Sequence, residues 1–214
     1  MKVVLLHAFP LDERMWAPQR PALEGHEVVA PNLYELGGNS IDGWAELILE
    51  DAQDGFLAVG SSMGGYVALA LARQAPERVR GLVLAGSRAG ADSDERKAAR
   101  NEGIRTLRED GIEAWQSQAP APPPPERTVE ELVRATEALR DRRDATEVVR
   151  TFAGPVAFVV GDRDDFLPVA EAEELAAAAP DGRLYVLEDT GHFSSIERPK
   201  RFNEILSEQL QAAQ

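Results

Sequence analysis

Short, continuous apolar runs rich in valine and leucine recur along the chain, and stretches with helical periodicity lie between most of them. Because these runs do not alternate with polar residues, they are typical of strands in a parallel sheet that is covered on both faces. Strands that alternate with helices in this way form right-handed βαβ units. We therefore predict an α/β fold with a doubly wound, mostly parallel sheet and helices on both faces. The predicted strands span residues 3–6, 28–30, 56–59, 81–85, 156–160 and 184–187, and the predicted helices span residues 41–52, 63–74, 169–179 and 195–213.

One stretch, residues 88–154, breaks this alternation because it contains no convincing strand. It is highly charged and includes four consecutive prolines, which cannot belong to a helix or a central strand and therefore indicate an extended linker. The segments 94–108 and 128–139 on either side of this polyproline segment have helical patterns. We expect one α/β core, made of residues 1–87 and 155–214, with residues 88–154 inserted between two core strands as a short helical lid.

Length and charge limit the possible partners. A chain of 214 residues fits one domain, and the absence of cysteine excludes a disulfide scaffold, a thiolate nucleophile and a cysteine–zinc site. The formal net charge of −14 argues against nucleic-acid and membrane partners, because both present negative charge. The first apolar run is too short for a signal peptide and no run approaches a membrane span, so we expect a cytoplasmic protein.

The sequence Gly-Ser-Ser-Met-Gly at residues 60–64 follows a predicted strand and precedes a predicted helix. In this context the motif forces a sharp turn that strains the serine backbone and exposes its hydroxyl at the carboxyl end of the strand. The small glycines on either side relieve the crowding that the turn creates. Ser62 is therefore the candidate nucleophile, and the alternative is a glycine-rich turn without a catalytic role.

A serine nucleophile needs a base, because its protonated hydroxyl is a poor nucleophile. Among the three histidines, His192 follows the last predicted strand, which places it at the same sheet edge as Ser62. A carboxylate is expected to orient the histidine and to stabilise its charged form. The candidates Asp162, Asp164 and Asp165 follow the strand at 156–160, and spacing alone does not choose among them.

An oxyanion hole requires two backbone N–H groups that point at the developing negative charge. One is expected from Met63, which follows the nucleophile. The other is expected from the loop at residues 7–10, after the first strand. Because Pro10 has no N–H group, Phe9 is the predicted donor, and the alternative is an ordinary turn.

Together these motifs resemble the α/β-hydrolase superfamily, in particular its small carboxylesterases, enol-lactonases and cofactor-free haloperoxidase-like members. The resemblance covers nearly the whole chain: residues 7–10 resemble the oxyanion loop, residues 161–164 the acid turn and residues 191–193 the histidine loop, although Ala8 stands where the family usually has glycine. The acid turn selects Asp164 as the triad acid. No apolar run corresponds to the antiparallel strands that usually precede the oxyanion loop, so the resemblance implies an α/β-hydrolase fold with about six strands.

The resemblance implies a serine hydrolase that cleaves a small-molecule carboxylic ester through an acyl-enzyme on Ser62, without a metal or an organic cofactor. A lactonase or enol-lactonase, a perhydrolase and a carbon–carbon bond hydrolase share the same triad and remain alternatives. An alternative of another class is a ligand-binding relative without turnover. A serine at the nucleophile position argues against haloalkane dehalogenases and epoxide hydrolases, which use aspartate there.

Residues near the nucleophile and in the predicted lid are candidates for the substrate pocket. We expect an apolar pocket with few polar groups, suited to an uncharged acyl ester. Arg88 and Arg163 are the only cations that look close to it. The sequence leaves the oligomeric state open. The candidate pocket residues are Trp115, Phe166, Leu167 and Phe193, with Phe9 and Met63 beside the nucleophile.

Overall fold

The computed structural model of the chain describes residues 1–52, 55–117 and 119–214, and within them six parallel strands form one sheet. The strands are β1 (Lys2–Leu6), β2 (Glu27–Val29), β3 (Phe56–Ser61), β4 (Val79–Ala85), β5 (Val156–Gly161) and β6 (Gly182–Leu187). Their order across the sheet is β2-β1-β3-β4-β5-β6, and every neighbouring pair is parallel. The predicted α/β fold and the number of strands are confirmed.

The strand order reverses at β1, because the chain moves from β1 to the edge strand β2 and then returns to the other side of β1 with β3. In an open parallel sheet the loops on either side of such a reversal diverge and leave a crevice at the carboxyl ends of the strands. Leu6 pairs with Gly60 at this edge, so the loop after β1 lies beside the turn after β3. The topology itself therefore brings residues 7–10 close to Ser62.

Helices cover both faces of the sheet. Phe56 and Ala58 of β3 belong to one hydrophobic cluster, whereas Leu57 and Val59 belong to another on the opposite face. This burial on both faces explains why the strands appear as continuous apolar runs in the sequence. Among the described residues, no helix is both long and apolar enough to span a bilayer. Outside the connection between β4 and β5 the helices are a 3₁₀ helix (Glu13–Leu23), α1 (Ile41–Asp51), α2 (Met63–Gln74), α7 (Val169–Ala178), α8 (Ser194–Glu197) and α9 (Pro199–Ala212).

The long connection between β4 and β5 is helical, and its segment 119–128 is neither helix nor strand. Leu107 and Leu132 of this connection share one hydrophobic cluster with Met63 and Leu84 of the core, so the connection packs directly on the sheet layer. The predicted helices at 94–108 and 128–139 are present, and two shorter helices accompany them. In the described part of this connection the helices are α3 (Asp94–Glu109), α4 (Gly111–Gln116), α5 (Val129–Arg140) and α6 (Thr146–Thr151).

The C-terminal helix differs from its prediction. The expected single helix at 195–213 is two helices, α8 and α9, which are separated at Arg198. Pro199 occupies the first position of α9, where its missing N–H group costs no hydrogen bond, and it forces the preceding residue out of the helical region. Arg198 accordingly has φ −131° and ψ 58°.

Phe202 of α9 offers a test of this packing. Its side chain is fully buried with Trp16, at a ring-centroid distance of 6.0 Å. We expect Phe202→Ala to lower the free energy of unfolding by about 3–5 kcal/mol, because it leaves a cavity in the core. The matched control Phe166→Ala, at a side chain that is 51 % exposed, should change it by no more than about 0.5 kcal/mol. Urea unfolding measures both values, and equal losses would contradict the packing.

Candidate active site

Ser62 lies in a sharp turn between the last residue of β3 and the first residue of α2. Its backbone has φ 49° and ψ −110°, a conformation that residues with a side chain rarely adopt. Such strain persists only where the surrounding structure enforces it. The turn presents the Ser62 hydroxyl at the carboxyl edge of the sheet, beside the N-terminus of α2, where negative charge is favoured.

Neighbouring backbone groups hold this turn in place. The Ser62 N–H group donates to the Ala85 carbonyl at 2.7 Å, and the Ser87 hydroxyl donates to the Ser62 carbonyl at 3.0 Å. Gly64 packs so closely against β1 that a Cβ atom there would collide with the Leu6 carbonyl oxygen. The strained turn is therefore held from both neighbouring strands, β1 and β4.

A continuous hydrogen-bonded chain starts at the Ser62 hydroxyl. The Ser62 Oγ lies 2.9 Å from His192 Nε2, and His192 Nδ1 lies 2.9 Å and 3.0 Å from the two carboxylate oxygens of Asp164. Because an ionised carboxylate can only accept, Nδ1 carries the ring hydrogen and Nε2 is left as the acceptor. Nε2 can therefore take the serine proton.

The Asp164 carboxylate is almost completely buried, with 1 % of its side chain exposed. Its Oδ1 accepts the N–H groups of Phe166 at 2.8 Å and Leu167 at 3.1 Å. Burial alone would raise the pKa of Asp164, but the hydrogen bond and the electrostatic interaction with His192, together with these N–H groups, hold the pKa below its ordinary value. Asp164 is therefore the charged partner that His192 needs when it takes up a proton.

The other two aspartates of the acid turn have different environments. Asp162 accepts the N–H group of Thr190 at 3.0 Å and so ties the acid turn to the histidine loop. Asp165 is exposed and lines the cavity beside the site. Spacing in the sequence left all three candidates open, and the structure places only Asp164 against His192.

The loop that carries His192 is held by a second carboxylate. Glu197 accepts the N–H group of Gly191 at 2.7 Å and that of Phe193 at 2.9 Å. These two hydrogen bonds fix the backbone on both sides of His192. The ring is thus positioned by Asp164 at its Nδ1 atom and by Glu197 through its backbone.

His7 is fully buried at the start of the loop after β1. Its Nδ1 donates to the Ala8 carbonyl at 3.1 Å, and its Nε2 accepts the Leu33 N–H group at 2.9 Å. Burial lowers the pKa of His7 to about 4, so the ring is neutral near pH 7. The imidazole therefore acts as a hydrogen-bonded spacer that shapes the loop.

The two expected oxyanion donors, Phe9 and Met63, follow the neighbouring strands β1 and β3. The Met63 N–H group belongs to the first turn of α2, where N–H groups have no partner within the helix. Within the described part of the chain, neither this group nor the Phe9 N–H group has a hydrogen-bond acceptor. Their role as an oxyanion hole stays a prediction that this arrangement permits.

A cavity of about 420 Å³ opens beside Ser62 and His192, between the sheet edge and the β4–β5 connection. Phe9 and Trp115 meet edge to face in its lining, with ring centroids 5.5 Å apart. The Phe166 ring lies 4.7 Å from the His192 ring and lines the cavity as well. The volume falls in the range of small-molecule sites, ~300–1,000 Å³.

Three of the expected pocket residues do not line this cavity. Leu167 is buried in a small cluster with Val160 and Ala172, and its backbone N–H group donates to Asp164. Met63 is fully buried in the core, and Phe193 packs against the cluster on the opposite face of the sheet. Phe9, Trp115 and Phe166 are the expected pocket residues that do line it.

The cavity is more polar than the expected apolar pocket. Arg88, Arg96 and Arg100 contribute to its lining, together with Asp92 and Asp165. These arginines come from the β4–β5 connection, so their place depends on how that connection folds back over the sheet. Arg163, the other cation that looked close in the sequence, is instead exposed and paired with Asp189.

Sequence reasoning missed Gly86 and Tyr66. Gly86 has φ 59°, and its missing side chain leaves room for His192 and Asp164; no local signal marks this contact between distant loops. Tyr66 lines the cavity four residues after Ser62, which places it on the same face of α2. The spacing of four residues from Ser62 would have allowed Tyr66 to be predicted as a pocket residue.

Gly86→Ala tests the close approach at the histidine. The new Cβ would lie 3.0 Å from the His192 ring and 3.2 Å from Asp164 Oδ2, so the pair must shift. We expect Ser62 to react roughly 10²-fold more slowly with phenylmethylsulfonyl fluoride, because small displacements of reacting groups have effects of this size. Intact-protein mass spectrometry measures the rate. Gly111→Ala is the matched control, since Gly111 has φ 85° but no atom within 4 Å of the added Cβ. Equal rates for both variants would contradict the predicted crowding.

The buried His7 predicts a pH-dependent stability. Because its folded pKa is about 4 and the ordinary value is 6.5, the unfolded chain binds a proton first as pH falls. The contribution of neutral His7 to the stability of the fold is complete above about pH 6.5 and is lost as the pH falls towards 4. When the pH falls from 7.5 to 5, the free energy of unfolding measured with urea should decrease by about 2 kcal/mol more in the wild type than in His7→Gln. The same loss in both proteins would refute this assignment.

Comparison with known proteins agrees with this geometry. The sequence model of the alpha/beta hydrolase family matches residues 3–205. A pimeloyl-[acyl-carrier protein] methyl ester esterase from Aromatoleum aromaticum is 29 % identical, over 92 % of this chain and 93 % of its own. A 2-hydroxymuconate semialdehyde hydrolase from Pseudomonas putida is 30 % identical over 67 % of this chain and 58 % of its own.

Solved structures show the same architecture. A thermophilic esterase from Thermogutta terrifontis, determined with malate bound, superposes with a TM-score of 0.86 and is 27 % identical, over 100 % of this chain and 90 % of that one. An enol-lactonase from Burkholderia xenovorans shares the fold with a TM-score of 0.80 at 23 % identity, over 98 % and 91 % of the two chains. Because the family match spans nearly the whole chain and includes every residue of the hydrogen-bonded chain at Ser62, this protein belongs to the alpha/beta hydrolase family.

Proposed function

We propose that the protein hydrolyses carboxylic esters of small molecules through an acyl-enzyme on Ser62. The observation that carries this proposal is the unbroken contact from Ser62 Oγ to His192 Nε2 and from His192 Nδ1 to Asp164, at the mouth of a cavity large enough for a small ester. An isolated serine hydroxyl would be unreactive, whereas this chain of contacts can remove its proton as the new bond forms.

In the proposed mechanism Ser62 Oγ attacks the ester carbonyl while His192 Nε2 takes the serine proton. The N–H groups of Phe9 and Met63 donate to the oxyanion of the tetrahedral intermediate. As the intermediate collapses, the ester C–O bond breaks and His192 gives its proton to the departing alcohol. Asp164 stabilises the imidazolium that forms between these two transfers.

The second half of the reaction repeats these steps with water. His192 takes a proton from water, the hydroxide adds to the acyl-enzyme carbonyl, and the proton returns to Ser62 as the acid leaves. None of these steps requires a metal ion or an organic cofactor. The absence of a cofactor and of nucleic-acid or membrane partners stays a prediction, as does the cytoplasmic location.

The relatives support ester hydrolysis over the other reactions of the same triad. The relative that covers more than nine tenths of both chains is named a methyl ester esterase, whereas the carbon–carbon bond hydrolase matches over only 58 % of its own length. The enol-lactonase shares the fold at 23 % identity, which leaves lactone opening as a side activity to be measured. Perhydrolysis would differ only in using peroxide in place of water.

Burst kinetics with a short-chain p-nitrophenyl ester test the acyl-enzyme. We expect one equivalent of p-nitrophenol to be released per protein before steady turnover begins. Ser62→Ala and His192→Ala should each lose about 10⁴–10⁶ in kcat, because these residues act as one unit. The matched control Ser61→Ala removes the neighbouring hydroxyl, which is fully buried, and should keep the burst.

Loss of the burst in Ser61→Ala but not in Ser62→Ala would overturn the assignment of the nucleophile. A well-folded wild type that binds esters without turnover would instead support a ligand-binding relative. Parallel assays with a lactone, and with peroxide added to the ester, would show whether ring opening or perhydrolysis exceeds ester hydrolysis.

A further inference from the structure

The wall of the cavity that α3 provides is basic. Arg96 and Arg100 line the cavity together with Ala99 and Gly103, a spacing that places all four on one face of the helix. Two like charges four residues apart destabilise an isolated helix. The protein as a whole has a net charge of −14, so the charge of this wall is opposite in sign to that of the whole chain. We call Arg96 and Arg100 the α3 arginine pair.

Arg88, the third arginine of the lining, is already paired with a carboxylate. Arg88 pairs with Glu171 and also donates to the Phe166 carbonyl, and only 14 % of its side chain is exposed. These bonds use both of its terminal nitrogens. Arg88 therefore links the β4–β5 connection to the acid turn, and its charge is already paired with a carboxylate.

The α3 arginine pair lacks such partners. The carboxylate that pairs with it, Asp92, is 1 % exposed and lies 2.7 Å from Arg142, which is itself buried. Arg100 reaches the same carboxylate only through Nε, at 3.2 Å. Within the described residues, the two terminal nitrogens of Arg100 have no hydrogen-bond partner, and Arg96 forms no ion pair. One buried carboxylate is thus shared by Arg100 and Arg142, and Arg96 has none.

A carboxylate is the ligand that fits this arrangement. Guanidinium groups bind carboxylates through two parallel hydrogen bonds, and partial burial strengthens such bonds. Arg100 is partly buried, with 28 % of its side chain exposed, whereas Arg96 is exposed. Asp165 is the acidic residue of the lining that does not pair with Arg142. It lies on the loop that carries Asp164 and not on α3. The Ser62 end and the α3 end of the cavity therefore differ in charge.

We propose that the α3 arginine pair binds a carboxylate at the end of the substrate remote from the scissile ester. Ser62 and both arginines line the same cavity of about 420 Å³, so one small molecule can reach all three. The preferred substrates are then half-esters of dicarboxylic acids. This inference rests on the proposed ester hydrolysis at Ser62 and adds the substrate class.

The test compares monomethyl and dimethyl esters of the same linear dicarboxylic acids, over a range of chain lengths. The two esters differ only in whether the remote carboxylate is free. We expect the wild type to prefer the monomethyl ester by about 10- to 100-fold in kcat/KM at the best length, as for hydrogen bonds to charged groups. Added salt should reduce this preference, because the interaction is partly exposed to solvent.

The matched variants are Arg96→Gln, Arg96→Gln/Arg100→Gln and Arg163→Gln. We expect the monomethyl-to-dimethyl ratio to fall about tenfold in Arg96→Gln and further in the double variant, and to be unchanged in Arg163→Gln. Arg96→Gln keeps the test valid if the double variant folds poorly, because Arg96 forms no ion pair among the described residues. A wild type without preference at any length, or a ratio that survives in the folded double variant, would overturn the proposal.

Calorimetric titration with the free dicarboxylic acids separates this proposal from the proposed function. Binding of the acid does not require turnover. If wild type binds the acid and Arg96→Gln binds it at least tenfold more weakly, the carboxylate site stands even if no ester is hydrolysed. If dimethyl esters are hydrolysed through Ser62 but the acid binds equally to wild type and Arg96→Gln, the ester hydrolase stands and the carboxylate site is refuted.

Discussion

The strained turn at Ser62 is the constraint on which the rest of the site depends. A residue with φ 49° is tolerated here because β1 and β4 hold the turn from both sides, through the close contact at Gly64 and the hydrogen bonds to Ala85 and Ser87. The same turn starts α2, so the helix N-terminus and its free N–H groups lie next to the hydroxyl. The sheet thus provides the rigidity that a loop by itself could not.

Electrostatic pairing completes the site from the other half of the sheet. The carboxylate of Asp164 is buried at a cost in solvation, and this cost is offset by His192 and by two backbone N–H groups. The acid turn follows β5 and the histidine loop follows β6, two adjacent parallel strands. Their pairing sets the distance between the two loops, and Glu197 sets the conformation of the second loop.

The β4–β5 connection adds what the sheet does not provide. It closes the cavity over Ser62 and contributes Trp115 and the α3 arginine pair to the lining. An acidic protein thereby has a basic wall inside its cavity, which distinguishes this site from the apolar pocket that the sequence suggested. The connection shares one hydrophobic cluster with the core. A role of residues 88–154 as a lid stays a prediction.

The six strands, the turn at Ser62 and the position of His192 at the same sheet edge could all be predicted from the amino-acid sequence. These features could be predicted because they depend on local periodicity and on short motifs whose residues are adjacent in the chain. The family resemblance selected Asp164, which spacing alone could not do. Three features became clear only from the packing of the folded chain: the burial of Leu167, the room that Gly86 leaves for the histidine, and the face of α3 that lines the cavity. Each of these depends on packing between segments far apart in the chain, and no local pattern encodes which surface of a charged helix will meet a distant loop.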